Sequence, residues 1–88
     1  MIQEQIVIQN KMGLHTRAAA KLVDTAKKFA SRIELIYNDR LVDAKSIMGV
    51  ITLGAQKDNV VHIVINGEDE AAAFAAIATL VNNKFGED

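Results

Sequence analysis

The sequence predicts an α+β fold, an open-faced two-layer sandwich of order βαββαβα with helices packed on one face of a four-stranded antiparallel sheet. Three observations carry this expectation. Apolar and polar residues alternate in several short segments, the period lengthens to three and four residues in others, and turn residues separate the two kinds of segment. Helices on one face of a single sheet would bury every apolar stripe, while the other face meets water, as antiparallel sheets permit.

Residues 2–8 (IQEQIVI) place Ile2, Ile6 and Ile8 on one side, the pattern of a strand with one buried face. Residues 10–14 form a loop in which Gly13 supplies backbone freedom. From Thr16 to about Phe29 the period is helical, with Ala19, Leu22, Val23, Ala26, Phe29 and Ala30 inward and Arg17, Lys21, Asp24, Lys27 and Lys28 on the wet face. Residues 32–37 return to a strand pattern, and Asn38-Asp39 makes a tight turn into a strand at 40–43. Ser46 and Gly54 bracket a brief helix, one as N-cap and the other just past its end. Residues 60–65 (VVHIVI) form the last strand, and Asn66-Gly67 turns the chain. Glu68, Asp69 and Glu70 then put negative charge in the first turn of an Ala-rich helix reaching about Asn83, with Phe74, Ile77, Ala78, Val81 and Phe85 inward.

With 88 residues and no long linker or repeat, the chain is expected to be a single domain, 1–88. Half the residues are hydrophobic, yet no apolar run approaches the roughly 20 needed to cross a bilayer. Neither a membrane span nor a signal peptide is expected. The absence of cysteine excludes disulfides and thiolate metal sites, and fits a cytoplasmic protein. A net charge of -1 and 5% aromatic residues argue against a general nucleic-acid binder, including an RNA-binding α+β domain, which would show a basic patch and stacking rings.

His15 falls at the N-cap of the first helix, where backbone N–H groups lack intrahelical partners and the helix dipole is positive. An anion attached there meets those donors directly, and Arg17 adds a guanidinium that grips phosphate oxygens as a fork. The same field opposes a positive ring. A neutral imidazole, ordinary pKa about 6.5, keeps a nucleophilic lone pair.

The string Gly13-Leu14-His15-Thr16-Arg17-Ala18-Ala19-Ala20-Lys21-Leu22-Val23 resembles the active-site motif of HPr proteins, G-L-H-A-R-P-A followed by an apolar helix. Ala44-Lys45-Ser46-Ile47-Met48-Gly49-Val50 resembles the regulatory-serine segment of that family, and Leu53-Gly54-Ala55 also fits. The resemblance covers essentially the whole chain. It implies a phosphocarrier of the phosphoenolpyruvate-dependent phosphotransferase system, which turns over only with its partner enzymes. A monomer is the default for a small carrier that must present one face to successive partners, and no metal or cofactor is expected. Enzyme I would phosphorylate His15 at Nδ1, and an enzyme IIA component would take the group for sugar transport. An N-cap side chain presents its near end to the first-turn amides, which also favours Nδ1. Thr16, Arg17 and Ala18 are the expected phosphate-binding residues. Thr16 stands where the motif has Ala, and Ala18 where it has Pro, so this chain carries an extra amide N–H in the first turn.

Ser46 explains itself as a helix cap, and the resemblance adds a regulatory phosphorylation site for an HPr kinase/phosphorylase. Ile47, Met48 and Ile51, extended by Met12 and Leu14, are expected to form an exposed apolar docking patch near His15. Arg17, Lys21, Lys27 and Lys45 are candidates for a basic rim that steers acidic partners, although Lys27 reads better as a solvated charge. His62 lies on the wet face of its strand, and no Asp/Glu/His cluster at ligand spacing accompanies either histidine. Two other readings fit the same residues: a nitrogen-related carrier, and a regulatory module that docks through residues 47–51 without chemistry at His15.

Overall fold

A computed structural model of the protein describes residues 1–87; Asp88, the last residue of the expected domain, lies outside the described residues. The chain runs β1 (Ile2–Val7), α1 (Thr16–Ala26), β2 (Arg32–Tyr37), β3 (Arg40–Asp43), α2 (Ile47–Leu53), β4 (Val60–Asn66) and α3 (Glu70–Asn82), followed by a 3₁₀ turn at Lys84–Gly86. The strands form one antiparallel sheet in the order β1-β4-β2-β3. The expected fold class and element order are therefore those observed.

Register follows from the alternation in the sequence, because a one-residue slip would turn every apolar side chain outward. Ile6 pairs with Val61, Leu35 with Ile63, and Ile33 with Ile65, and all six are buried under the helices. Their neighbours Gln5, His62 and Arg32 face water on the open side. Asn38 and Asp39 both have positive φ, 52° and 63°, as a two-residue type I′ hairpin requires between β2 and β3.

α1 buries Ala18, Ala19, Leu22, Val23 and Ala26, but ends at Ala26 instead of running on to Phe29. Contacts distant in sequence end it. The backbone tightens into three-residue hydrogen bonds from Lys28 to Thr25 and from Phe29 to Ala26. Lys45 Nζ donates to the Phe29 carbonyl, and the Asp69 carboxylate accepts the amides of Ala30 and Ser31 together with the Ser31 hydroxyl. Asp69 thus caps the end of α1's connection, not its own helix. Ala30 is consequently exposed and Phe29 only half-buried.

Two further boundaries differ from expectation. α3 starts at Glu70, so Glu68 and Asp69 precede the first turn; Glu70 reaches back to accept the Gly67 amide at 3.1 Å. Its buried stripe is Ala73, Ile77 and Val81, with Ala78 and Phe74 half-buried. Phe85 is fully buried, but not as a continuation of the helix: Lys84, Phe85 and Gly86 all have positive φ, 55°, 56° and 73°. Left-handed backbone costs a non-glycine residue about 1–2 kcal/mol, and burial of the Phe85 ring offsets it. The C-terminal segment is pinned against the core by that ring.

Replacing Phe85 by Ala should lower the unfolding free energy by about 3–5 kcal/mol, the usual cost of deleting a buried aromatic side chain. Urea denaturation measures it; an unchanged midpoint would mean that the ring adds nothing to the core.

Candidate functional site

The loop between β1 and α1 is set by short-range hydrogen bonds. Ile8 exchanges backbone bonds with the β4 side, donating to Asn59 at 3.0 Å and accepting from Asp58 at 2.7 Å. Asn10, fully buried, donates through Nδ2 to the Gly13 carbonyl at 2.7 Å, and the Gly13 amide returns to the Asn10 carbonyl at 3.1 Å. Gly13 has φ 67°, and a Cβ there would lie 2.7 Å from both the Ala55 oxygen and the Gln56 Cα, so the position demands glycine on two counts. The Leu14 amide then donates to the Ala55 carbonyl at 2.9 Å, which ties the loop to the residues beyond α2.

That tie turns Leu14 inward. At 5% exposure it is core, so the expectation that Leu14 extends a docking patch is corrected: its side chain belongs to the hydrophobic core. His15 follows with extended backbone, φ −79° and ψ 179°, and occupies the N-cap of α1 as the sequence predicts. Its carbonyl accepts the first helical bond, from Ala19 at 2.8 Å. The amides of Thr16, Arg17 and Ala18 precede that bond, and among the described residues no acceptor takes them. Thr16 and Arg17 are exposed, whereas the Ala18 methyl is fully buried, so Ala18 offers the site only its amide.

The imidazole is partly exposed, with 22% of its side chain open to solvent, and it makes no capping bond to the helix. Contact between the ring and the first-turn amides, expected from the sequence, is therefore not made. Its Nε2 instead lies 2.6 Å from Glu87 Oε2, a partner that sequence reasoning missed. The other Glu87 oxygen accepts from Asn10 Nδ2 at 3.1 Å, and Lys21 Nζ holds the same segment by donating to the Phe85 carbonyl at 2.6 Å. The apolar spacing from Val81 to Phe85 was the only local signal that the C-terminal segment docks.

Arg17 lines an open hollow of about 300 Å³ with Lys11, Met12, Lys21, Gly86 and Glu87. Burial raises the pKa of Glu87, but hydrogen bonds from Asn10 and His15, joined by the charge of Arg17, outweigh it and hold the carboxyl below its usual value. Glu87 is therefore an ionised acceptor at neutral pH.

Of the expected docking residues, Met12, Met48 and Ile47 are exposed at 69%, 64% and 38%, while Ile51 is half-buried and packed against the core. Ser46 is exposed, and its hydroxyl accepts the Gly49 amide at 3.2 Å, the expected cap. Lys21 and Lys45 spend their ammonium groups on backbone carbonyls, so only Arg17 and Lys27 of the expected basic rim are exposed. A larger hollow of about 750 Å³ lies on the open sheet face, lined by Gln3, Glu4, Gln5 and His62 among others. Among the described residues no group of three or more His, Cys, Asp or Glu is placed to hold a metal ion, and no helix is long and apolar enough to cross a membrane.

Because the folded pKa of Glu87 lies below its unfolded value near 4.5, its contacts add stability above that pH, and the contribution is lost as pH falls through the lower folded value. A carboxyl ¹³C titration should place Glu87 below 4.5. A midpoint at or above it would contradict this contact.

Residues 2–83 match the model of a family described as the PTS HPr component phosphorylation site. The phosphocarrier protein HPr of Xylella fastidiosa (strain 9a5c) is 47% identical over 88 residues, covering 100% of this chain and 99% of that protein. The crystal structure of HPr-C-His from Thermoanaerobacter tengcongensis superposes with a TM-score of 0.95 at 45% identity, covering 100% of this chain and 99% of the other. A crystal structure described as an HPr dimer from the same organism gives a TM-score of 0.79 at 46% identity, covering 99% and 100% of the two chains. The chain belongs to the HPr family of the phosphotransferase system.

Proposed function

We propose that this member of the HPr family is a cytoplasmic phosphocarrier in which His15 accepts a phosphoryl group from phospho-enzyme I and donates it to an enzyme IIA component of the sugar phosphotransferase system. The observation that carries this reading is the placement of a partly exposed imidazole at the start of α1, beside three amides without acceptors and an exposed Arg17. A phosphoryl group on the ring would enter a site already lined with donors. The amides of Thr16, Arg17 and Ala18 and the Arg17 guanidinium stabilise its charge without having to reorganise.

Residues 1–88 act as one unit that needs no metal or cofactor and binds no nucleic acid. The exposed Met12, Ile47 and Met48 form the apolar part of the docking surface for enzyme I and enzyme IIA, with the half-buried Ile51 beneath. The working form is a monomer, which leaves this face open to successive partners; the related HPr described as a dimer makes its oligomeric state worth measuring alongside activity.

A second feature concerns Ser46. Its hydroxyl is exposed while capping α2, so modification would exchange one amide contact for a charged group next to Ile47 and Met48. We propose that an HPr kinase/phosphorylase phosphorylates it and weakens docking of an acidic partner. The matching test is ATP-dependent, acid-stable labelling that disappears in Ser46→Ala.

Incubation with enzyme I and labelled phosphoenolpyruvate should give an acid-labile, base-stable label on the wild type and none on a folded His15→Ala. Arg17→Ala should slow transfer by on the order of 10²-fold, the effect of removing one preorganised donor. Label that survives His15→Ala would move the acceptor elsewhere. A wild type that never labels would favour a binding module acting without chemistry.

Ala18→Pro should retain transfer, because the amide it removes lies in the first turn and makes no helical bond. Complete loss of transfer in a folded Ala18→Pro protein would make that single amide indispensable.

A further inference from the structure

We infer that Glu87 is a positioning residue for His15, holding the ring in the tautomer that keeps the proton on Nε2 and leaves the Nδ1 lone pair free to attack phosphorus. The inference rests on the phosphocarrier reading and deepens it. Three observations carry it. Glu87 Oε2 stands 2.6 Å from Nε2, and an ionised carboxylate can only accept, so Nε2 must be the donor. Its second oxygen is held by the buried Asn10, which also fixes the Gly13 carbonyl two residues before His15. The segment that delivers Glu87 is itself fastened, through the buried Phe85 ring and the bond from Lys21 to the Phe85 carbonyl.

The arrangement also fits the charge that the reaction creates. As the Nδ1 lone pair forms the N–P bond, the bond from phosphorus to the donor breaks and its electron pair leaves with the donor. No proton leaves the ring, because Nε2 keeps its own. The imidazole therefore becomes positive, and that charge develops beside the Glu87 carboxylate while the three phosphoryl oxygens face the α1 amides and Arg17. Glu87 opposes the cation on one side of the ring, and the helix opposes the anion on the other. In the reverse transfer to an acceptor the ring leaves as a neutral imidazole, with the same proton on Nε2.

The test uses the full-length protein with ¹⁵N-labelled histidine. Ring ¹⁵N shifts, taken at a pH where the imidazole is neutral, report tautomer populations directly and need no phosphorylation. Wild type should show a protonated Nε2 and a bare Nδ1. In Glu87→Gln, whose amide both donates and accepts, the Nδ1–H form should rise several-fold. Transfer from phospho-enzyme I should fall about 10-fold, the scale seen when a carboxylate that orients a histidine is lost. The amide spectrum of the remaining residues should stay that of wild type. Should Glu87→Gln fail to fold, a chain ended after Gly86 serves as the second variant. Unchanged tautomer populations, or a shifted tautomer with an unchanged rate, would overturn the inference. Failure of wild type to accept label would instead sink the carrier reading, independently of the ring spectra.

Discussion

A helix cannot satisfy its own first amides, and in this protein the N–H groups of Thr16, Arg17 and Ala18 extend from the start of α1 with no acceptor among the described residues. Serine, threonine and aspartate are the usual side chains that take such donors, but His15 occupies the cap position and leaves them free. The site is thus an unfinished helix end next to a nucleophile, in a field that favours negative charge. The remaining structure keeps that end open and holds the ring beside it.

Several parts of the fold serve this purpose. The core positions of α1 hold its axis against the sheet, while Gly13 and Leu14 bring the chain into the helix at a fixed angle through their approach to Ala55. Lys21, one turn further along α1, anchors the C-terminal segment. α1 therefore contributes both the amides and the tether of the carboxylate that engages His15. Glu87 brings negative charge near an anion site, and the opposing charge of Arg17 and the bond to His15 help hold its carboxyl ionised below the usual range. Asn10 links the two halves: one amide group bonds both the loop that carries His15 and the residue that contacts its ring.

Sequence reasoning reached the features that local rules dictate. Strand alternation, the Asn38-Asp39 turn, the Ser46 cap and the position of His15 depend on neighbours within about four residues, and each is found where it was expected. What it missed depends on distant contacts. α1 stops at Ala26 because Asp69, 39 residues from Ala30, takes the Ala30 amide, and because Lys45 reaches the Phe29 carbonyl. Leu14 reads as a surface residue in the sequence, but its side chain is buried where its amide bonds to Ala55, 41 positions away. Glu87 contacts His15 across 72 positions, with no motif to announce it. Phe85 shows the same limit differently: its spacing from Val81 suggested a helix, but a left-handed turn buries it.

If the open amides of α1 hold the transferred group, their protons must respond to its arrival. Amide ¹H–¹⁵N spectra recorded before and after phosphorylation test this most directly. The account predicts that the Thr16, Arg17 and Ala18 protons move downfield together and exchange more slowly with water, while amides in the sheet barely change. Shifts that bypass these three residues would contradict it, because the phosphoryl group would then be held by something other than the start of the helix.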